Sequence, residues 1–128
     1  GSTKLETTNA GVTVSGTVTA NSDRRLKENI TPLDSSLAKV LKMRGVSFEW
    51  RDTKMGEGEQ IGFIAQEIQE IEPRLVREGD PDEHGNQYLS VAYPSLTAHL
   101  VEAIKEQNIV INNLKDRLDR LENQNGTE

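Results

Sequence analysis

Asn21-Ser22-Asp23-Arg24-Arg25-Leu26-Lys27-Glu28-Asn29-Ile30 marks a seam in the chain. Upstream the composition is rich in Thr, Gly and Val; downstream it is charged and helix-forming. The seam sets a hydroxyl, Ser22, a short distance ahead of an amine, Lys27. A Ser with a Lys and no nearby Cys or His is the smallest kit for Ser–Lys nucleophilic chemistry. Where two composition regimes meet, the nearest substrate is the chain itself.

That chemistry has a definite form. Ser22 Oγ attacking the Asn21 carbonyl closes a five-membered ring and turns the amide into an ester at Ser22. Water then hydrolyses the ester and leaves Ser22 as a new N-terminus. Such an attack gains effective molarity only when the geometry is held rigidly, so a folded scaffold is required. Lys27 is the candidate general base, and it must be neutral to act. A free lysine, with an ordinary pKa near 10.4, is neutral in roughly one molecule in 2,500 at pH 7. Burial, or cations such as Arg24 and Arg25, favours the neutral form, whereas Asp23 opposes it. On an α-helix, positions i and i+5 lie about 140° apart. Either the junction is not regular helix, or Lys27 comes from a neighbouring chain. By pattern alone the competing reading is that Ser22 caps a helix beginning at Asp23, with Lys27 solvated. Asn21 offers a second route to the same cut, through a succinimide formed by its own side chain.

Upstream, residues 3–21 carry Val12, Val14 and Val18 among Thr and Ser, the strand period, punctuated by Gly11 and Gly16. The segment is too short and polar to fold alone. It reads as the end of a repetitive β-fibre, or else as a flexible linker. Gly1-Ser2 reads as an expression scar.

Downstream, Asp34 is placed to cap a helix over about 35–43 with Leu37, Val40 and Leu41 on one face. Val46, Phe48 and Trp50 alternate with polar residues as a half-buried strand, and residues 51–60 form a hairpin loop. Ile61-Gly62-Phe63-Ile64 reads as a short buried strand leading into a helix over 65–72 that Pro73 stops. Ile64, Ile68 and Ile71 share a face of that segment. Leu75 and Val76 open a strand, residues 80–87 a polar turn, and Tyr88-Leu89-Ser90-Val91 a strand that pairs back. Pro94 fits the first turn of a long C-terminal helix.

That helix carries a heptad seam: Ile104, Ile111 and Leu118 at a; Leu100, Leu114 and Leu121 at d. Gln107 is the odd d residue; buried, it costs stability and fixes register and strand number. Arg117 and Glu122 stand at g and e positions able to pair between parallel neighbours. Two to three heptads are short for a free coiled coil, so the globular part is expected to hold the helix. The competing reading is an amphipathic helix packed on its own domain.

The totals agree with oligomerisation. The 128 residues hold one domain with appendages and few aromatics: Phe48, Trp50, Phe63, Tyr88 and Tyr93. A small, thin core needs disulfides, a metal or self-association. The absence of Cys removes disulfides, and two separated His make a metal cluster improbable. The net charge of −6 argues against nucleic acid as a partner. No apolar run approaches membrane-spanning length, and no signal-peptide pattern is present. No cofactor is expected.

Residues 22–30 resemble the opening of the C-terminal intramolecular chaperone domain of phage tailspikes and tail fibres, the self-cleaving S74-type peptidase domain also seen after endosialidases. Ile61-Gly62-Phe63-Ile64-Ala65-Gln66-Glu67-Ile68 is similar to that family's internal signature. Leu89-Ser90-Val91-Ala92-Tyr93, with Leu100-Val101-Glu102-Ala103-Ile104-Lys105-Glu106, is similar to its C-terminal helix entry. The resemblance runs from Ser22 to about Leu121. It implies an α+β domain with a C-terminal coiled-coil helix, intertwined as a parallel homotrimer that guides folding of an upstream fibre. It also implies release by a Ser–Lys cut at Asn21–Ser22, with Ser22 as nucleophile and Lys27 as base. The implied division is tag scar and fibre end 1–21, chaperone and peptidase 22–93, trimerising helix 94–128. The implied setting is the host cytoplasm during virion assembly, with the passenger fibre, in the same chain, destined for the virion tail. The alternatives are a non-catalytic trimerisation domain retained on the fibre and a receptor-binding tip; no aromatic cluster supports the latter.

Other patterns are weaker. Asp80-Pro81-Asp82-Glu83-His84-Gly85 departs from a calcium loop at its third ligand and at Val91, and reads as a solvated turn. Gly56-Glu57-Gly58 lacks the third Gly of a dinucleotide loop. His99 reads as packing or surface, and Gln66 and Glu67 as exposed polar residues.

Overall fold

The computed structural model describes residues 1–126, so the last two residues of the segment 94–128 lie outside the described part. The chain folds as two compact units. One comprises residues 1–32 and 45–62; the other comprises 33–44 and the chain from Phe63 onward. The result is a small mixed α/β domain with a long C-terminal helix.

The first unit is built from two hairpins. Strands β1 (Leu5–Thr8) and β2 (Gly11–Val14) pair antiparallel with Leu5 opposite Val14. Val18 lies outside any strand and is exposed, so the period-2 pattern ends earlier than its sequence suggests. Strands β3 (Val46–Phe48) and β4 (Gln60–Gly62) pair antiparallel, with Ser47 opposite Ile61. Val46 and Phe48 are half-buried and Ser47 is exposed, as alternation predicts. Ile61, expected in a buried strand, is 88% exposed. A ribbon of two strands offers only one coverable face here, and Ile61 lies on the other. In the connecting loop Trp50 meets Phe48 edge-on, with ring centroids 5.1 Å apart. It also lies against Gly56, whose φ of +148° and tight approach to the indole (3.0 Å from a would-be Cβ) leave no place for a side chain.

The second unit holds the core. Helix α1 (Ser36–Lys42) is followed, after the β3–β4 excursion, by α2 (Ala65–Ile71), a 3₁₀ turn at Pro73–Leu75, and the antiparallel pair β5 (Val76–Glu78) and β6 (Leu89–Val91). Helix α3 (Tyr93–Asn125) then runs 33 residues, about 50 Å at 1.5 Å per residue. Pro94 sits in its first turn, where a missing N–H costs nothing. Ile68, Leu75, Val76 and Leu96 form the core, flanked by Met43, Phe63, Leu89 and Val91.

Two expectations for α1 fail. Asp34 does not cap it: Ser35 is the cap residue, in a left-handed conformation without a side-chain bond. The Leu37 N–H instead donates to Glu106 Oε2 of α3 at 2.7 Å. A carboxylate from another helix thus satisfies the orphan donor and the positive end of the dipole. Leu41 is exposed, because α1 turns Ser36 rather than Leu41 inward.

Ser36, His99 and Glu72 form a buried polar bridge. Ser36 Oγ lies 2.9 Å from His99 Nδ1, and His99 Nε2 lies 2.8 Å from Glu72 Oε2. With Nε2–H donating to the carboxylate, Nδ1 accepts the serine proton and both contacts are satisfied. Arg74 donates to both Glu72 oxygens at 2.8 and 2.7 Å, and Lys39 adds a contact at 3.3 Å. Arg74 above all, then His99 and Lys39, holds the Glu72 carboxyl far below the usual glutamate range, against the opposing effect of burial.

Because the folded-state value is depressed, the Glu72 contribution is complete above the ordinary value near 4.5 and is lost as pH falls below it. Urea midpoints at fixed protein concentration are expected to drop for the parent between pH 6 and pH 3. Glu72→Gln is expected to lose about 1–3 kcal/mol at pH 7 and to show a flatter acid limb. Equal acid slopes in the two chains overturn this assignment.

Candidate active site at the junction

The junction is neither α-helix nor open coil. Asp23 caps a single 3₁₀ turn at Arg24–Leu26, its carboxylate accepting the Arg25 N–H at 2.8 Å. The Leu26 and Lys27 N–H groups bond back to the Asp23 and Arg24 carbonyls at 3.0 and 3.1 Å. Lys27 then leaves in extended conformation, φ −123° and ψ 151°. A 3₁₀ turn closes in three residues. Ser22 and Lys27 therefore flank one closed turn instead of diverging around a helix. Lys27 Nζ meets Ser22 Oγ at 2.7 Å within the same chain.

The helix-cap alternative is corrected in one respect: Asp23, not Ser22, is the cap, which leaves the Ser22 hydroxyl to Lys27. Asp23 itself is fully engaged. Arg25 Nε and Nη2 donate to its two oxygens at 3.1 and 2.9 Å. These bonds hold the Asp23 carboxyl below the usual carboxylate range and raise the Arg25 guanidinium further above its own. Asn21, Ser22, Asp23, Arg25 and Lys27 are all exposed. An amine, donating here to a hydroxyl that adjoins a peptide bond, brings together the parts an intramolecular acyl shift needs.

The proposed seam residues share one further property. Leu96, His99 and Ala103 are the buried stripe of α3. Beside that stripe Leu100 and Ile104 are 41% and 65% exposed, and from Gln107 every described residue of the helix is exposed. Ile111, Leu114, Leu118 and Leu121 thus present an apolar edge with no partner within the described chain. The helix does not fold back on its own domain along that half.

Sequence reasoning passed over Glu72, Ser36 and the engagement of His99. The trio has the composition of a hydrolase triad, but Ser36 has no exposed surface, so it reaches no substrate. Glu67, placed near the signature strand, is paired with Arg44 at 2.7 Å. In the polar turn the Asp82 carboxylate accepts the His84 and Asn86 N–H groups at 2.9 and 2.8 Å. Among the described residues no cluster of three or more His, Asp or Glu is arranged to hold a metal ion. No described helix is long and apolar enough to cross a membrane.

Residues 22–77 match the S74 peptidase family, described as the chaperone of endosialidase, and the match begins at Ser22 itself. The chain carries a chaperone-of-endosialidase domain. It is also similar to the long tail fiber protein Gp37 of Enterobacteria phage K3, 36% identical over 99 residues. The Gp37 of Enterobacteria phage T2 is similar to the same degree. The alignment covers 76% of this chain but only 8% and 7% of those much longer relatives.

Proposed function

We propose that this chaperone domain assembles as a parallel homotrimer along α3, aligns an upstream tail-fibre segment of its own chain, and then cuts itself free at Asn21–Ser22. The observation that carries the cleavage step is the 2.7 Å contact between Lys27 Nζ and Ser22 Oγ. Neutral Lys27 takes the Ser22 hydroxyl proton as Oγ adds to the Asn21 carbonyl. The C–N bond breaks, the Ser22 nitrogen leaves with the proton returned by Lys27, and an ester remains. Water cleaves the ester into an Asn21 carboxylate and a free Ser22 hydroxyl. One peptide bond and one water become two chain ends.

Assembly supports the chemistry physically. Each apolar seam side chain is worth about 1.5–3 kcal/mol when fully buried, and other copies of the helix would offer that burial. Desolvation and crowding of basic groups on assembly favour a neutral lysine. Three joined domains raise the local concentration of the three fibre strands and set their register from one end. In this reading residues 3–21 are passenger, 22–93 peptidase and 94–128 the trimerising helix. The work is done where virions assemble, in the host cytoplasm, and the released fibre goes to the virion tail.

Ser22→Ala and Lys27→Ala are each expected to lower the cleavage rate at least about 100-fold, read by intact mass as retention of the N-terminal segment. Hydroxylamine is expected to intercept the ester and leave an Asn21 hydroxamate in the parent chain. Asn21→Ala is expected to cut, since the serine route does not need its side chain. A parent that self-associates and stays whole overturns the cleavage reading in favour of a retained trimerisation domain.

Leu118→Lys is expected to lower the mass seen by sedimentation from three copies toward one and to slow cleavage with it. Cleavage at the parent rate in a monomeric Leu118→Lys sample overturns the dependence on assembly.

A further inference from the structure

The residue after the proposed nucleophile carries a carboxylate, and an unpaired carboxylate there works against a lysine base. Asp23 follows Ser22 in the chain, and Lys27 Nζ reaches to within 2.7 Å of Ser22 Oγ. A free aspartate on the residue next to that serine would attract the ammonium, drawing Nζ off the hydroxyl and favouring the charged form. In this structure the aspartate is not free. Arg25 covers both oxygens with its guanidinium, at 3.1 and 2.9 Å, and its backbone N–H adds a third bond at 2.8 Å. The planar two-toothed geometry is one that arginine provides and lysine does not.

We propose that Arg25 is a positioning residue for the cleavage, occupying the Asp23 carboxylate so that the Lys27 amine is left to Ser22. The inference rests on the cleavage reading above. Its role is not to hold the fold: Arg25 is 88% exposed in its side chain, and exposed ion pairs add little stability. The fold-holding part of Asp23 is the bond to the Arg25 backbone N–H, which any residue at position 25 except proline supplies. The charged groups bordering exposed Lys27 along the junction are Asp23, Arg24, Arg25 and Glu28. Of these the Asp23–Arg25 pair is the one joined by side-chain bonds.

Two substitutions break the same ion pair with opposite electrostatic results. Arg25→Gln frees the carboxylate; Asp23→Asn removes it while keeping an oxygen to cap the turn. In the full chain, cleavage by Arg25→Gln is expected to be about threefold slower below pH 8, with the pH–rate profile displaced upward by about half a unit. Asp23→Asn is expected to cut at the parent rate or faster, with its profile displaced downward. A second readout needs no cleavage: acetylation of Lys27 by acetic anhydride across pH, quantified by mass spectrometry. Its midpoint is expected to move up in Arg25→Gln and down in Asp23→Asn. Slowing of both variants with equal profiles, or unmoved Lys27 labelling in both, overturns the role of Arg25. A parent that is never cut, with labelling midpoints that move as stated, instead removes the cleavage reading and leaves the electrostatic device in place.

Discussion

The second unit depends on keeping one buried charge, the Glu72 carboxylate, satisfied. It is 3% exposed, at the C-terminal end of α2, where the helix dipole disfavours an anion. Its donors come from three places: Lys39 on α1, Arg74 in the 3₁₀ turn, and His99 on α3. His99 passes the connection on to Ser36 at the start of α1. No described buried side-chain polar atom of the chain is left without a partner. A core as small as Ile68, Leu75, Val76 and Leu96 supplies little directional information. The polar bridge supplies it, because each hydrogen bond is satisfied in one arrangement of α1, α2 and α3 and in few others.

That bridge leaves the rest of α3 available. Leu96, His99 and Ala103 consume one stripe of the helix, and the heptad positions lie beside it. A helix that spends one face on its own domain and leaves a neighbouring apolar face bare is suited to holding copies together without loosening the domain. Glu106 strengthens the division of labour. It belongs to the same helix, yet its carboxylate closes the N-terminus of α1. The anchorage of α3 therefore extends to the point from which every described residue of the helix is exposed.

Much of this architecture was legible in the sequence. The order of elements, the pairing of Leu89–Val91 back on the strand after Leu75, the place of Pro94 in the first turn of α3 and the length of that helix all follow from periodicity and proline placement. The misses share a cause: local patterns do not report tertiary partners. Asp34 has the right type and place for a cap, but Glu106, distant in sequence, takes the position. Ile61 sits in an apolar run, yet a two-stranded ribbon leaves it in water. The local pattern at His99 suggests packing or surface, and it is buried, but as a hydrogen-bonded link rather than as filler. Glu72 carried a usable signal: an acidic residue at a helix C-terminus, followed by Pro and Arg, needs a compensating partner. At the junction, i to i+5 spacing excluded a shared α-helical face. It did not reveal that one 3₁₀ turn returns the two side chains to each other.

The exposure of the junction bears on why a self-cutting chain would not cut too early. Ser22 and Lys27 are close, but both stand in water. Water favours the charged form of an amine, and a charged amine donates to the hydroxyl instead of taking its proton. The contact can thus be preformed while the reaction is held back, provided the neutral form becomes common only after assembly. A dyad built from Ser and His lacks this restraint, because imidazole is largely neutral at physiological pH without any help from its surroundings. In the proposed reading the choice of lysine makes local solvation the control variable, and assembly is the event proposed to change it. In the proposed reading, slowness in the single chain is therefore a working property of the site: it keeps the chaperone attached until the fibre strands it must align have been brought together.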